Sequence, residues 1–306
     1  MGVPEQEHPL ESEERAAVRC QDPFHAGRPY RWSAPSATAS SMLADDVPRR
    51  AGMTRLAPAP ALVVAAALAS LLSAPAGGRA RAALADLRGR TIAVDPGHDG
   101  GNGSHAREIG RLVNAGTLWK PCDTAGTETA SGYTEAAFAF DVALRLRAIL
   151  EEAGAHVVLT RRTNRGVGPC ITERAAIGNR ARADAAISIH ADGGPASGRG
   201  FHVIYPPSIR GLTDDIAAAS RRLALAVRAA YRAGTGLPYA SYVGRQGLDV
   251  RSDLGGLNLS NVPKVFVEAA NMRNPIDAAL LERPSFRQRI ARALAAGLAR
   301  YLTGRR

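Results

Sequence analysis

Residues 135–160 read EAAFAFDVALRLRAILEEAGAHVVLT, and this stretch decides the fold. Phe138, Val142, Leu146 and Ile149–Leu150 recur at helical spacing, so Glu135–Ala153 is expected to be a helix with one apolar stripe. Gly154 stops it, and His156–Thr160 (HVVLT) follows as a short apolar run rich in β-branched residues, the pattern of a buried strand. A long helix feeding directly into such a strand is half of a crossover between parallel strands. Working outward, Thr91–Asp95 (TIAVD) is a strand ended by Pro96-Gly97. Thr172–Ala183 reads as a helix with Thr172 at its cap, and Ala185–His190 (AAISIH) and Phe201–Tyr205 (FHVIY) as strands. Asp214–Ala233 is a helix capped by Thr213 or Asp214, Lys264–Glu268 (KVFVE) a further strand, and Pro284–Leu302 a closing helix with proline in its first turn. Between Gly97 and Gly132 the chain is glycine-rich, and Trp119 and Cys122 are expected to anchor a hairpin there. The alternation predicts a single α/β domain over 88–303, with a mostly parallel central sheet and helices on both faces.

The composition allows such a core: 45% of the 306 residues are hydrophobic, which excludes a disordered chain. Three cysteines cannot staple a disulfide scaffold of this length. The net charge is +11, and residues 1–76 are close to neutral, so 77–306 carries the whole excess, nearly all of it arginine. A basic protein is drawn to anionic polymers, but no nucleic-acid motif or aromatic stacking platform accompanies the arginines, and no nucleic-acid partner is expected.

Residues 53–76 carry an export pattern. Arg55 gives a positive start, Ala59–Leu72 an apolar run of fourteen residues, and Ala74-Pro75-Ala76 a small-x-small cleavage site. At about 1.5 Å per residue the run is too short to span a bilayer, so no membrane span is expected once the signal is removed. Residues 1–52 read as disordered and as an over-extended N-terminus, with translation starting at Met53 or else at Met42. Mature protein then begins near Gly77, with a linker over 77–87. The product is expected in the periplasm, the cell wall or outside the cell, as a monomer. Cys122 and Cys170 are the cysteines left after export, and an oxidising compartment suggests a disulfide between them, with two unrelated thiols as the alternative.

Ligands of open α/β sheets gather at the carboxyl ends of the strands. His98 lies just beyond TIAVD, His190 ends AAISIH, Glu268 ends KVFVE, and Glu135 opens the first long helix. Two histidines and a carboxylate, with one position left to water, make up a catalytic zinc site, and a further carboxylate can move the water's proton. His98, Glu135 and His190 suit the ligand set and Glu268 the acid/base. Read singly, each histidine is equally a strand-end imidazole bonded to backbone. Asp99 and Asp192 either orient the ligand imidazoles or are solvated carboxylates. His105 and Glu108 read as surface residues, and Asn258 and Arg273 as carboxylate binders or ordinary surface. Gly101-x-Gly103-x-x-Ala106 opens no helix and is not a dinucleotide fingerprint.

Asp95-Pro96-Gly97-His98, Tyr133-Thr134-Glu135, Ser188-Ile189-His190-Ala191-Asp192 and Val265-Phe266-Val267-Glu268 occur in this order. Together they resemble the zinc-dependent N-acetylmuramoyl-L-alanine amidases, a family of cell-wall hydrolases, and look most like its short secreted mycobacterial-type members. The resemblance spans about 88–303 and implies a sheet of about six strands. It also implies Zn2+ on His98, Glu135 and His190, Glu268 as catalytic acid/base, and peptidoglycan or muramyl peptides as substrate. Where many members carry Gly-Phe and then Ser-Asn after the glutamate, this chain has Ala269-Ala270-Asn271-Met272-Arg273-Asn274. The rival readings are a zinc peptidase or deacetylase with the same ligands, and a non-catalytic wall-binding protein.

Overall fold

The computed structural model describes residues 87–304. The expectations for 1–52, for the export signal at 53–76 and for linker residues 77–86 lie outside them. Among the described residues there are eight strands and seven helices.

Six strands form one sheet in the order β4-β1-β5-β8-β6-β7. These are β4 (His156–Leu159), β1 (Thr91–Pro96), β5 (Ala185–Asp192), β8 (Lys264–Asn271), β6 (His202–Tyr205) and β7 (Leu248–Val250). Every neighbouring pair is parallel except β6 against β8. The strands alternate with period two, and the alternation separates a core face from a chemical face. Ile92, Val94, Ile187, Ile189, Val203, Val265 and Val267 point into the main core. There they meet helices α2 (Glu135–Glu152), α4 (Ala217–Thr235) and α7 (Pro284–Thr303). Leu87, expected to close the linker, is fully buried in this core. The intervening residues Asp95, Ser188, His190, Phe266, Glu268 and His202 share the opposite face, covered in part by α3 (Ile171–Arg180) and the single turn α5 (Gly255–Asn258). On that face Gly178 of α3 lies on Ala93, where an added Cβ would be 3.5 Å from the alanine Cβ, so small residues bring α3 close to the sheet.

Several boundaries differ from the sequence reading. β5 and β8 run on to Asp192 and Asn271, because the two strands keep pairing through a register shift between His190 and Asp192. His190 and Glu268 therefore sit inside strands and not at their ends. The short strand β7 was not foreseen. Helix α3 starts at Ile171 behind Cys170, not behind Thr172, and α4 starts at Ala217. Thr213 instead closes the turn before α4, donating to the Pro207 carbonyl at 2.6 Å and accepting from the Ile209 amide at 2.9 Å. The hairpin expected in the glycine-rich segment is β2 (Leu112–Asn114) with β3 (Trp119–Pro121), preceded by the single turn α1 (Ala106–Ile109). Helix α6 (Pro275–Leu281) follows β8. No helix among the described residues is long and apolar enough to cross a membrane.

Cys122 and Cys170 are joined in a disulfide that spans 48 residues of sequence. It ties the segment after the hairpin to the start of α3, and the Ile171 amide donates to the Cys122 carbonyl at 2.9 Å. Replacing both cysteines by alanine should lower unfolding free energy by about 2–4 kcal/mol, chiefly by freeing the unfolded chain. Urea denaturation of the oxidised protein and of the double variant measures it.

Candidate metal centre

Glu135 is placed by its helix start. Thr134 caps α2, its hydroxyl accepting from the Ala137 amide at 3.3 Å, so Glu135 falls in the first turn and points off the helix end. Its carboxylate is buried. Oε2 accepts from the Thr127 amide at 3.0 Å, and Oε1 from the Ala191 amide at 3.2 Å. Oε1 also lies 2.7 Å from His190 Nδ1 and 3.2 Å from His98 Nε2. The two imidazoles meet edge to face with centroids 4.8 Å apart, and the His190 ring stacks on Phe266. One donor atom from each of His98, Glu135 and His190 lies within 4.8 Å of the others, the kind of N,N,O set that holds zinc.

Two glycines make this approach possible. A Cβ on Gly97 would lie 2.2 Å from the His190 ring, and one on Gly126 would lie 2.8 Å from Glu135 Oε2. His98 itself takes a left-handed backbone, φ 54°, uncommon for a residue with a side chain. Its Nδ1 donates to the Thr124 carbonyl at 2.9 Å, with Asp123 Oδ1 at 3.1 Å. A carbonyl can only accept, so the Nδ1 proton is fixed and Nε2 is turned toward Glu135 and His190.

The charges in this small volume are strongly coupled. Burial opposes ionisation of Glu135, but His98 and the hydrogen bond from His190 hold it well below the usual carboxylate range. Burial also works against protonation of His98, yet Glu135 and Asp123 raise its pKa to about 10 in the metal-free protein. Glu268 moves the other way: burial, then the charges of Glu135 and Asp192, push it well above its ordinary value. It lines the same cleft as the three donors, about 360 Å³ in volume, with Lys120 and Arg251 on the wall. Its Oε2 is buried without a hydrogen bond, so Oε1 is the oxygen left to the cleft.

Asp99 does not touch an imidazole. The left-handed turn at His98 sends its carboxylate the other way, to Arg174 Nη2 at 2.7 Å, and Asp123 stands at His98 instead. Asp192 lines the cleft beside Tyr242, whose buried hydroxyl has no hydrogen bond of good geometry although the carboxylate faces it. His105 and Glu108 are exposed. Asn258 is fully buried and pins the hairpin, its Nδ2 donating to the carbonyls of Ala115 and Ser252 at 2.9 and 2.8 Å. Arg273 lines a neighbouring polar groove. Asp123, Lys120, Arg251 and Arg174 were not singled out from the sequence; for Asp123 the one available signal was its place next to Cys122.

Asp123→Ala should weaken zinc binding about 10–100-fold, because His98 loses the carboxylate that orients its ring. Competition against a chromogenic chelator reads it.

A parallel-sheet α/β domain with two histidines and two glutamates on one cleft matches a known class of hydrolase. The family model described as N-acetylmuramoyl-L-alanine amidase matches residues 92–300, and the chain belongs to that family. Among relatives, it is 45% identical over 226 residues to the N-acetylmuramoyl-L-alanine amidase Rv3717 of Mycobacterium tuberculosis, covering 73% of this chain and 90% of that protein. Its fold is similar to the crystal structure of the N-acetylmuramyl-L-alanine amidase Ami1 of Mycobacterium smegmatis, with TM-score 0.67 and 41% identity, over 72% of this chain and 99% of that one. The apo form of Ami1 from Mycobacterium abscessus matches with TM-score 0.66 and 41% identity, over 70% and 99%.

Proposed function

We propose that the protein is an exported zinc amidase that hydrolyses the amide between the lactyl group of N-acetylmuramic acid and L-alanine in peptidoglycan. The observation that carries this reading is the convergence of His98, Glu135 and His190 beside Glu268 in one cleft of an amidase-family fold. His98, Glu135 and His190 would hold the ion, and zinc bound there supplies Lewis acidity toward a water and a carbonyl oxygen. Asp123 and the Thr124 carbonyl keep the His98 proton on Nδ1. Glu268 accepts the proton of the attacking water on Oε1 and delivers it to the departing alanine nitrogen. Burial and the charges of Glu135 and Asp192 raise its proton affinity, which makes the carboxylate a stronger acceptor for the water proton than an exposed glutamate would be. The disulfide suits an oxidising compartment, and the excess of arginine favours a surface rich in carboxylates and phosphodiesters.

Zinc titration of the metal-free protein tests the reading. Zinc must displace the proton from His98, so binding at pH 8 should release about one proton. Apparent affinity should rise about tenfold per pH unit up to about 10, the His98 value. Hydrolysis of muramyl dipeptide should appear in step with site occupancy. Calorimetry in two buffers of different ionisation heat reads the proton, and turnover on the same samples reads the function. Full hydrolysis in the presence of a chelator, or zinc binding that ignores pH, contradicts the assignment.

A further inference from the structure

Glu268 has surroundings that the reaction as described does not use. Strand β6 runs antiparallel to β8 with His202 directly opposite Glu268, so both side chains leave the sheet on the same face. Tyr242, from the loop after α4, closes the space from the side, its ring edge-on to His202 with centroids 6.4 Å apart. That ring has a made-to-measure seat. A Cβ on Gly194 or Gly198 would come within 2.5 or 2.4 Å of it, so only glycine admits the ring at either position. The glycine loop is in turn fixed to the end of β8. Asn271, three residues beyond Glu268, donates to the carbonyls of Pro195 and Gly198, both at 2.8 Å, and Asn274 donates to that of Ala196 at 2.8 Å.

Eight buried side-chain polar atoms lack a hydrogen bond among the described residues. Three of them belong to this one cluster: Glu268 Oε2, His202 Nδ1 and Tyr242 Oη. Buried polar atoms are almost always paired, and three orphans gathered behind the reacting carboxyl call for a shared explanation. We infer that Tyr242 and His202 are positioning residues that hold the inner oxygen of Glu268 by hydrogen bonds, directly or through one enclosed water, so that Oε1 stays turned to the cleft. The donors are of the right kind. Burial first, then the facing Asp192 carboxylate and after it Glu268, push the Tyr242 hydroxyl up, so it keeps its proton to donate, with Asp192 the competing acceptor. Burial pushes His202 down, leaving a neutral imidazole with one N–H to offer.

The inference rests on Glu268 as proton carrier in the proposed amidase, and the test separates the two. Tyr242→Phe removes only the hydroxyl and leaves the ring in its seat. It should lower kcat on muramyl dipeptide about tenfold with KM, zinc content and Tm unchanged. In a Glu268→Gln background it should have no further effect, because the group being positioned is already disabled. His202→Gln, which keeps an N–H donor, should retain more kcat than His202→Leu. Wild-type kcat in Tyr242→Phe, an equal loss on top of Glu268→Gln, or a loss that follows zinc content would overturn the inference. A crystal structure decides it without turnover. Oε2 should be hydrogen-bonded to Tyr242 or His202, directly or through one water, and Oε2 bonded to neither overturns the positioning role. Absence of amidase activity in the wild type would sink the proposed function while that structural result still stands or falls alone.

Discussion

Glu268→Gln should keep about one zinc per chain and lose turnover by roughly 10²–10⁴-fold, the usual yield of general acid–base catalysis. Gln has nearly the same shape and still fills the space beside His202, but its amide cannot accept and return a proton. None of the three converging donor atoms belongs to Glu268, so coordination is left intact. His190→Ala should behave differently, with metal content and turnover falling together, since it removes one of those donors. Metal analysis and muramyl-peptide hydrolysis on the same two purified variants separate proton transfer from coordination. A Glu268→Gln protein that loses its zinc would move this carboxylate into the ligand set.

Arg174→Leu should destabilise the fold by about 3–5 kcal/mol, the range for removing one partner of a buried charge network. Its guanidinium is buried and binds three carboxylates: Asp95 Oδ1 at 3.0 Å, Asp99 Oδ2 at 2.7 Å and Asp123 Oδ2 at 3.2 Å. It also donates to the carbonyls of Pro96, His98 and Pro169 at 2.7, 3.0 and 2.9 Å. One side chain thus holds both ends of the His98 loop and the carboxylate that faces its ring. Without Arg174, Asp95 keeps Lys264 at 3.2 Å and Asp123 keeps His98 at 3.1 Å, but Asp99 is left with only Arg161, at 3.8 Å. The sign with pH is fixed by Asp95. Against the cost of burial, Lys264 and Arg174 hold its carboxyl well below the ordinary range. That stability is present above the ordinary carboxylate pKa and is lost as pH falls, so Arg174→Leu should also raise the pH of acid unfolding. Urea melts at several pH values measure both effects, and a variant within 1 kcal/mol of wild type at neutral pH contradicts the network's role.

The order of helices and strands was legible in the sequence because each core strand is a short apolar run and each long helix carries one stripe. The ends of β5 and β8 were not. The two strands were expected to stop at His190 and Glu268, and only the pairing between them keeps Ala191-Asp192 and Ala269-Ala270-Asn271 extended. The edge strand Leu248–Val250 is three residues long and carries no periodic signal. The four candidate site residues stood out through expected strand ends, a helix start and the four motifs, although His190 and Glu268 lie inside strands that run further. Asp123 did not, because its partner lies 25 residues away and no local pattern marks a carboxylate brought in by a hairpin and a disulfide. Asp99 drew attention by standing next to His98, but a left-handed residue turns its neighbour away. Asn271 and Asn274 stand where many family members carry other residues, and their side chains staple the 195–198 loop.

The most direct measurement is product analysis of muramyl dipeptide after incubation with the zinc-loaded protein. The account predicts a single cut, giving a free amino group on L-alanine and a free lactyl carboxylate on muramic acid, with the acetyl group and the peptide bond inside the dipeptide intact. Released acetate, cleavage between the two amino acids, or unchanged substrate from a fully zinc-loaded protein would contradict it.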